Sequence, residues 1–173
     1  MKLLINTAVI VATAFLFTSA MTKTKKDIVD VAISSKVHTT LVKAIKAADL
    51  VTTLKGMGPF TVFAPTNTAF SKLPSGTLTN LLKPENQSKL VSILTYHVVS
   101  GTLNANDILV AIQDGGGKAL LTTVSGGSLT AKVVKGKVVL IDAKGNKSTV
   151  TNTNLEATNG VIHVIDRVLL PND

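Results

Sequence analysis

Three imidazoles, His38, His97 and His163, stand far apart in a chain that has no cysteine. A structural zinc takes four ligands and a catalytic zinc three, drawn from His, Cys or carboxylate at motif spacing. Isolated histidines without a thiol do not supply that set. No Gly-x-Ser-x-Gly elbow is present, because Gly126-Gly127-Ser128-Leu129 runs on into Thr130. Gly115-Gly116-Gly117-Lys118 lacks the preceding glycine and the following Ser or Thr that would cradle a phosphate, and reads as a loop. The residue types therefore point to no catalytic centre, no metal and no cofactor. An enzyme of unrecognised type remains only as a remote reading that would need tertiary clustering. What these polar groups can do is hydrogen-bond. His163 shares a strand face with Val161 and Ile165, so its ring is expected to look inward and be hydrogen-bonded.

The elements that must hold these groups start from Phe60 to Phe70, which carries three of the four aromatic residues outside the N-terminal leader. Phe60 to Ala64 alternates as a strand, Pro65 denies the ladder a donor, and Thr66 is placed to cap a short helix bearing Ala69 and Phe70. Upstream, Asp27 to Ile33 has an acidic cap and helical spacing, and Leu41, Val42, Ile45 and Ala48 form a second amphipathic face. Gly56-Met57-Gly58-Pro59 is a turn. Leu78, Leu81 and Leu82 make a helix ending at Pro84, and Leu90, Val91, Ile93 and Leu94 another, favoured by Glu85 at its start. Tyr96 to Val99 reads as a strand. Asn104 precedes Asp107 by three residues, an imperfect capping box ahead of Ile108, Leu109 and Ile112. From Lys118 onward, short Val-, Leu- and Thr-rich runs are separated by Ser125-Gly126-Gly127, Lys135-Gly136-Lys137, Lys144-Gly145-Asn146 and Asn159-Gly160, the punctuation of antiparallel hairpins. Helices first and strands after predict an α+β domain.

The run Thr61-Val62-Phe63-Ala64-Pro65-Thr66-Asn67-Thr68-Ala69-Phe70 resembles the first signature motif of fasciclin-like domains. Asn159-Gly160-Val161-Ile162-His163-Val164-Ile165-Asp166-Arg167-Val168-Leu169-Leu170-Pro171 resembles the second, and Tyr96-His97 matches the family's Tyr-His motif. The resemblance covers Asp27 to Pro171. It implies a wedge-like sheet with helices packed against it and the two signature motifs side by side. It also implies a secreted adhesion function, with Tyr96 and His97 in a surface used for cell or matrix binding. The competing reading puts Tyr96 in the core and His97 on a buried backbone group, and is favoured because a strand sends adjacent side chains to opposite faces. Asp107-Ile108 resembles an integrin-recognition dipeptide of animal members, although helix capping already accounts for Asp107. Thr66 and Asn67 are expected to bond local backbone and to tie the first motif to the second.

Residues 1–20 have the layout of a secretory signal peptide: Lys2, an apolar stretch from Leu3 to Phe17, and Thr18-Ser19-Ala20 before a lysine-rich segment. That stretch is shorter than the ~20 apolar residues of a span. The expected product is secreted or periplasmic, with no membrane span after cleavage, a basic tether at 21–26 and one domain at 27–171. The formal charge of the full sequence, +8, becomes +7 when Lys2 leaves with the leader, and favours anionic partners. Nucleic acid is disfavoured, because the lysines are scattered and Arg167 is the single arginine. Two partner classes follow: a cell-surface or matrix protein or glycan, and, as the alternative, an anionic polysaccharide of a biofilm or cell envelope bound by Lys132, Lys135, Lys137, Lys144 and Lys147. Ordinary edge protection and solubility also explain those lysines, and are the favoured reading of them.

Overall fold

The structure, a computed structural model, describes residues 25–172. The leader and residues 21–24 of the tether lie outside the described residues. Lys26 is not loose: its carbonyl accepts the Thr158 N–H at 3.0 Å.

The first half is helical. Helix α1 (Ile28–Ser34) starts at Asp27, whose carboxylate accepts the Asp30 N–H at 2.8 Å. Helix α2 (Thr39–Ala47) presents Leu41, Ala44 and Ile45 inward, and α3 (Val51–Lys55) buries Leu54. The turn at 56–59 leads into strand β1 (Phe60–Pro65), then α4 (Asn67–Ser71) and α5 (Thr77–Leu81). Glu85 sits in a 3-10 turn ahead of α6 (Gln87–Tyr96), not in its first turn. Strand β2 (Val98–Ser100), α7 (Ala105–Asp114), β3 (Ala119–Thr122), β4 (Ser128–Val134), β5 (Lys137–Ile141), β6 (Lys147–Ala157) and β7 (Gly160–Ile165) complete the order.

One expectation is corrected and one helix was not foreseen. Tyr96 closes a helix instead of opening a strand, because the Leu90, Ile93, Leu94 spacing carries the helix on and His97 caps it with its own ring, 2.7 Å from the Ile93 carbonyl. Helix α3, which no long periodic run announces, fills the stretch before the turn.

Seven strands run in the order β2-β1-β7-β6-β5-β4-β3. All pairs are antiparallel except β1 with β7, which run parallel and in register from Phe60 opposite Gly160 to Pro65 opposite Ile165. The two outer strands almost meet. A bridge joins Val99 to Thr123, and the Val124 N–H reaches the Val98 carbonyl at 2.7 Å. The two signature segments are thus adjacent strands near the middle of the sheet. Gly160 permits this closeness, since a Cβ there would lie 2.0 Å from the Phe60 carbonyl oxygen.

Both strands are buried on both faces. On one face Val62, Ala64 and Ile162 meet helices α1 to α6 through residues such as Ile28, Leu41, Phe70 and Leu90. On the other, Phe63 and Ile165 join Tyr96, Ile108, Leu129 and Leu140 in a second core under α7. Each large apolar side chain so enclosed contributes about 1.5–3 kcal/mol of burial.

Candidate functional site

His163 lies opposite Phe63 across the parallel pair, and the two rings stack with centroids 5.6 Å apart at 27°. Nε2 is 2.7 Å from the Leu103 carbonyl and must donate, which leaves Nδ1 to accept the Asn154 N–H at 3.4 Å. That arrangement requires the neutral ring. Burial lowers its pKa, and the Leu103 carbonyl works against the shift. Asn154 belongs to an irregular stretch of β6, and its side-chain oxygen also accepts the Ala105 N–H at 2.8 Å, pinning the start of α7.

Tyr96 and His97 are 0% and 2% exposed. The Tyr96 hydroxyl donates to the Ser128 carbonyl at 2.7 Å and accepts the Ala143 N–H at 3.0 Å. Burial pushes the phenol pKa up, with the Ala143 N–H opposing it and the Asp142 charge adding to it. Gly127 lies against its ring so closely that a Cβ would come within 2.7 Å. His97 donates from Nδ1 to Ile93 and accepts the Leu169 N–H on Nε2 at 3.0 Å. Burial lowers its pKa to about 4, against the opposing pull of the Ile93 carbonyl and Asp142. Neither side chain presents itself to solvent, so the binding surface expected of the pair is not formed by them. The reason is the helix end: it drives both rings inward, where a strand would have alternated them.

Ile108 is likewise buried in the second core. Asp107 is exposed, and its carboxylate accepts the Asn104 N–H at 2.8 Å at the head of α7. The dipeptide thus offers one accessible member.

Thr66 caps α4 by accepting the Ala69 N–H at 3.2 Å, and its own N–H reaches the Ile165 carbonyl at 3.3 Å, a direct tie to the second motif. Asn67 does something else. Its oxygen accepts the Thr40 N–H at 2.9 Å and the Thr39 hydroxyl at 3.2 Å, while its nitrogen donates to the Lys36 carbonyl at 3.1 Å. It clamps the corner to the start of α2, not to the second motif as expected. Asn67→Leu is expected to lower stability by about 1–3 kcal/mol, because the Thr40 amide loses its acceptor; thermal melting of the variant alongside the parent checks this, and coincident curves would remove the clamp.

The analogous tie at the second motif is made by Asn159, read from the sequence as a turn residue opening that motif, with no long-range bond expected of it. Its oxygen accepts the Ile28 N–H at 3.0 Å, and its nitrogen donates to the Leu54 and Gly56 carbonyls at 2.8 and 3.0 Å. Asp142 was also missed. Buried at the β5–β6 connection, it accepts the Lys144, Asn146 and Leu170 N–H groups at 3.0, 2.8 and 2.9 Å. The Asp-x-x-Gly spacing through Gly145 was the available signal.

The lysines are brought together. Lys132 is opposite Val139, which faces Thr149; Thr130 is opposite Ile141, which faces Lys147; and Val134 is opposite Lys137. Strand alternation therefore sets Lys132, Lys137 and Lys147 on one face, while Ala131, Leu140 and Ser148 fill the other. Lys135 and Lys144 sit at the turns beyond the two ends of β5. Leu120, opposite Thr130 and 71% exposed, shares the lysine face.

Elsewhere an open groove of about 720 Å³ is lined by Lys55, Met57, Pro59, Thr102 and Glu156 among others. Lys55 is held by Asp27 and Asp30 at 2.9 and 2.7 Å. Among the described residues, no group of three His, Cys, Asp or Glu side chains is placed to hold a metal ion, and no helix is long and apolar enough to cross a membrane.

A parallel pair of signature strands inside an otherwise antiparallel sheet, with α1 to α6 over one face and α7 over the other, defines the class: the chain belongs to the fasciclin domain family, whose model matches residues 36–171. It is 51% identical over 152 residues to Protein sll1483 of Synechocystis sp., covering 88% of this chain and 77% of that protein. Similarity extends to Transforming growth factor-beta-induced protein ig-h3 of Sus scrofa, 38% identical over 161 residues, with 92% of this chain but 21% of that protein covered. Immunogenic protein MPB70 of Mycobacterium bovis is 42% identical over 123 residues, 71% of this chain and 55% of that one. Among solved structures, the FAS1 domain pair of the insect cell adhesion molecule Fasciclin I superposes with a TM-score of 0.74 at 25% identity, covering 84% of this chain and 51% of that one.

Proposed function

We propose that the chain is a secreted, non-enzymatic adhesion or matrix-interaction module, one domain spanning 27–171, that acts by binding a cell-surface or matrix protein or glycan. The observation that carries this reading is the division of labour among its polar groups. The imidazoles of His97 and His163 and the phenol of Tyr96 are committed to interior hydrogen bonds, whereas the lysine-bearing sheet face is turned outward. Its membership of a family with a cell adhesion molecule among its structural neighbours supports the same reading. Retention of the purified protein on intact cells, compared with the same protein after the sheet face is blocked, tests it. Loss on blocking is expected, and cell retention indifferent to blocking would reject that face.

The common outward face of Lys132, Lys137 and Lys147 favours one specific second reading, an anionic polysaccharide held with help from Lys135 and Lys144. Such binding weakens steeply as salt shortens the reach of exposed charges. Lysines against an anionic surface are worth ~1 kcal/mol each, so the double variant Lys132→Ala with Lys137→Ala is expected to lose roughly tenfold or more in affinity for an acidic polysaccharide. Immobilised polysaccharide across a salt series reads this out. Retention that survives high salt or the double substitution would assign contact to the apolar members of the face instead.

A further inference from the structure

After β7 the chain turns at Asp166-Arg167, and Val168 to Leu170 lies back across the molecule, with Val168 buried in the first core and Leu169 in the second. This strap is held by its backbone. Ser148 Oγ donates to the Arg167 carbonyl at 2.9 Å and accepts the Arg167 N–H at 3.1 Å. Asp166 Oδ1 accepts the Thr149 N–H at 2.7 Å. Beyond Val168, the Leu169 N–H is caught by His97 Nε2 at 3.0 Å and the Leu170 N–H by Asp142 Oδ2 at 2.9 Å. Consecutive N–H groups thus end on two side chains, and one of them, the His97 imidazole, turns from acceptor to donor on taking a proton.

We propose that Val168 to Leu170 is an acid-released strap: a proton on His97 Nε2 turns an acceptor into a donor pointed at the Leu169 N–H, the strap lifts, and the parallel β1–β7 pair stays formed. The selectivity has a physical basis. The ladder bonds of β1–β7 are made by backbone groups, and the imidazole on that pair, His163, bonds Leu103 and Asn154 outside the ladder, whereas His97 cannot release the Ile93 carbonyl to reverse its ring, because that carbonyl is also buried. The charged and titratable groups bonded to the segment from Asp166 to Leu170 are Asp142 from the β5–β6 connection, His97 at the end of α6, and Lys72 beyond α4, whose Nζ is 2.8 Å from the Asp166 carbonyl, and the Tyr96 phenol senses the Asp142 charge. Asp166 and Arg167 belong to the segment itself. Of these, His97 has a proton affinity already suppressed by burial, to about 4, and an open strap would return it toward 6.5. Opening therefore becomes easier as pH falls through this window, and it uncovers the apolar seats of Val168 and Leu169.

Amide hydrogen exchange followed by NMR on the full chain, with each rate referred to its intrinsic value at that pH, tests the proposal. Between about pH 7 and pH 4, protection at Leu169 and Leu170 is expected to fall by roughly a hundredfold, and at each pH to stay well below that of the hydrogen-bonded amides of β1 and β7, which open only with the whole domain. His97→Gln retains one donor and one acceptor but cannot titrate, and is expected to remove most of that fall. Protection at the strap equal to that in β1–β7 at each pH would overturn the proposal, because the strap would then open only by global unfolding. So would an undiminished fall in folded His97→Gln. The wild-type comparison decides the matter by itself where the variant does not fold.

Discussion

Phe63→Ala is expected to cost about 3–5 kcal/mol, the range for emptying a fully buried aromatic site. Phe63 is 0% exposed and stands at the junction of the two signature strands. Its ring supports the His163 imidazole from one side, and it belongs to the core that also takes Tyr96, Leu129 and Leu140. The parallel β1–β7 ladder around it leaves the backbone little room to collapse into the vacancy, which places the cost toward the upper end. The His163 bond to Leu103 would lose its lateral support as well. Urea denaturation of the variant and the parent, read by circular dichroism, gives the difference directly. A loss under about 1 kcal/mol would mean that the stack is incidental and that the second core is anchored elsewhere.

Acidification is the second large effect, and it centres on His97. Its pKa in the folded chain is about 4, set first by complete burial, whereas the unfolded chain offers an ordinary imidazole near 6.5. Between these values the unfolded state binds more protons, so stability is level above about 6.5, declines as the pH falls through the window, and has lost its full share near 4. That share is about 3 kcal/mol. His38 and His163, both lowered by burial, push in the same direction. Urea midpoints measured across about pH 7.5 to 4 should fall steadily below 6.5, and His97→Gln should flatten a large part of the slope. A midpoint constant through this range would show that the folded chain binds the His97 proton as readily as the unfolded chain does, and that burial of the ring carries no penalty.

Much of the architecture was written locally. The Phe60 to Phe70 corner, its Thr66 cap, the Asp27 cap, the Asn104–Asp107 pair and the glycine-punctuated hairpins all rest on interactions within a few residues, and periodicity and turn chemistry report such interactions. The end of α6 shows where that reporting stops. Tyr96 to Val99 has strand-forming side chains, yet the ring of His97 closes the preceding helix by reaching four residues back. A local preference for strand was outweighed by a side-chain cap together with burial of both rings. The consequence for function was direct: two of the residues proposed for binding became interior ones.

The candidate site was less legible than the fold for the same reason. That Asn67 bonds Lys36, Thr39 and Thr40, and that Asn159 joins Ile28 to Leu54 and Gly56, depends on segments up to 131 residues apart in sequence. Amide side chains carry no mark of which distant backbone group they will satisfy.

From its residues alone this chain determined its α+β character, the order of most of its helices and hairpins, its family motifs and its excess of lysine, since each follows from short-range spacing or from composition. Only the tertiary structure decided that β1 and β7 run parallel in register, that Tyr96, His97 and Ile108 are enclosed, and that three lysines share an outward face. Those outcomes depend on which strands pair and in what register, and pairing is selected by burial of the whole sheet, a quantity that no short stretch of sequence contains.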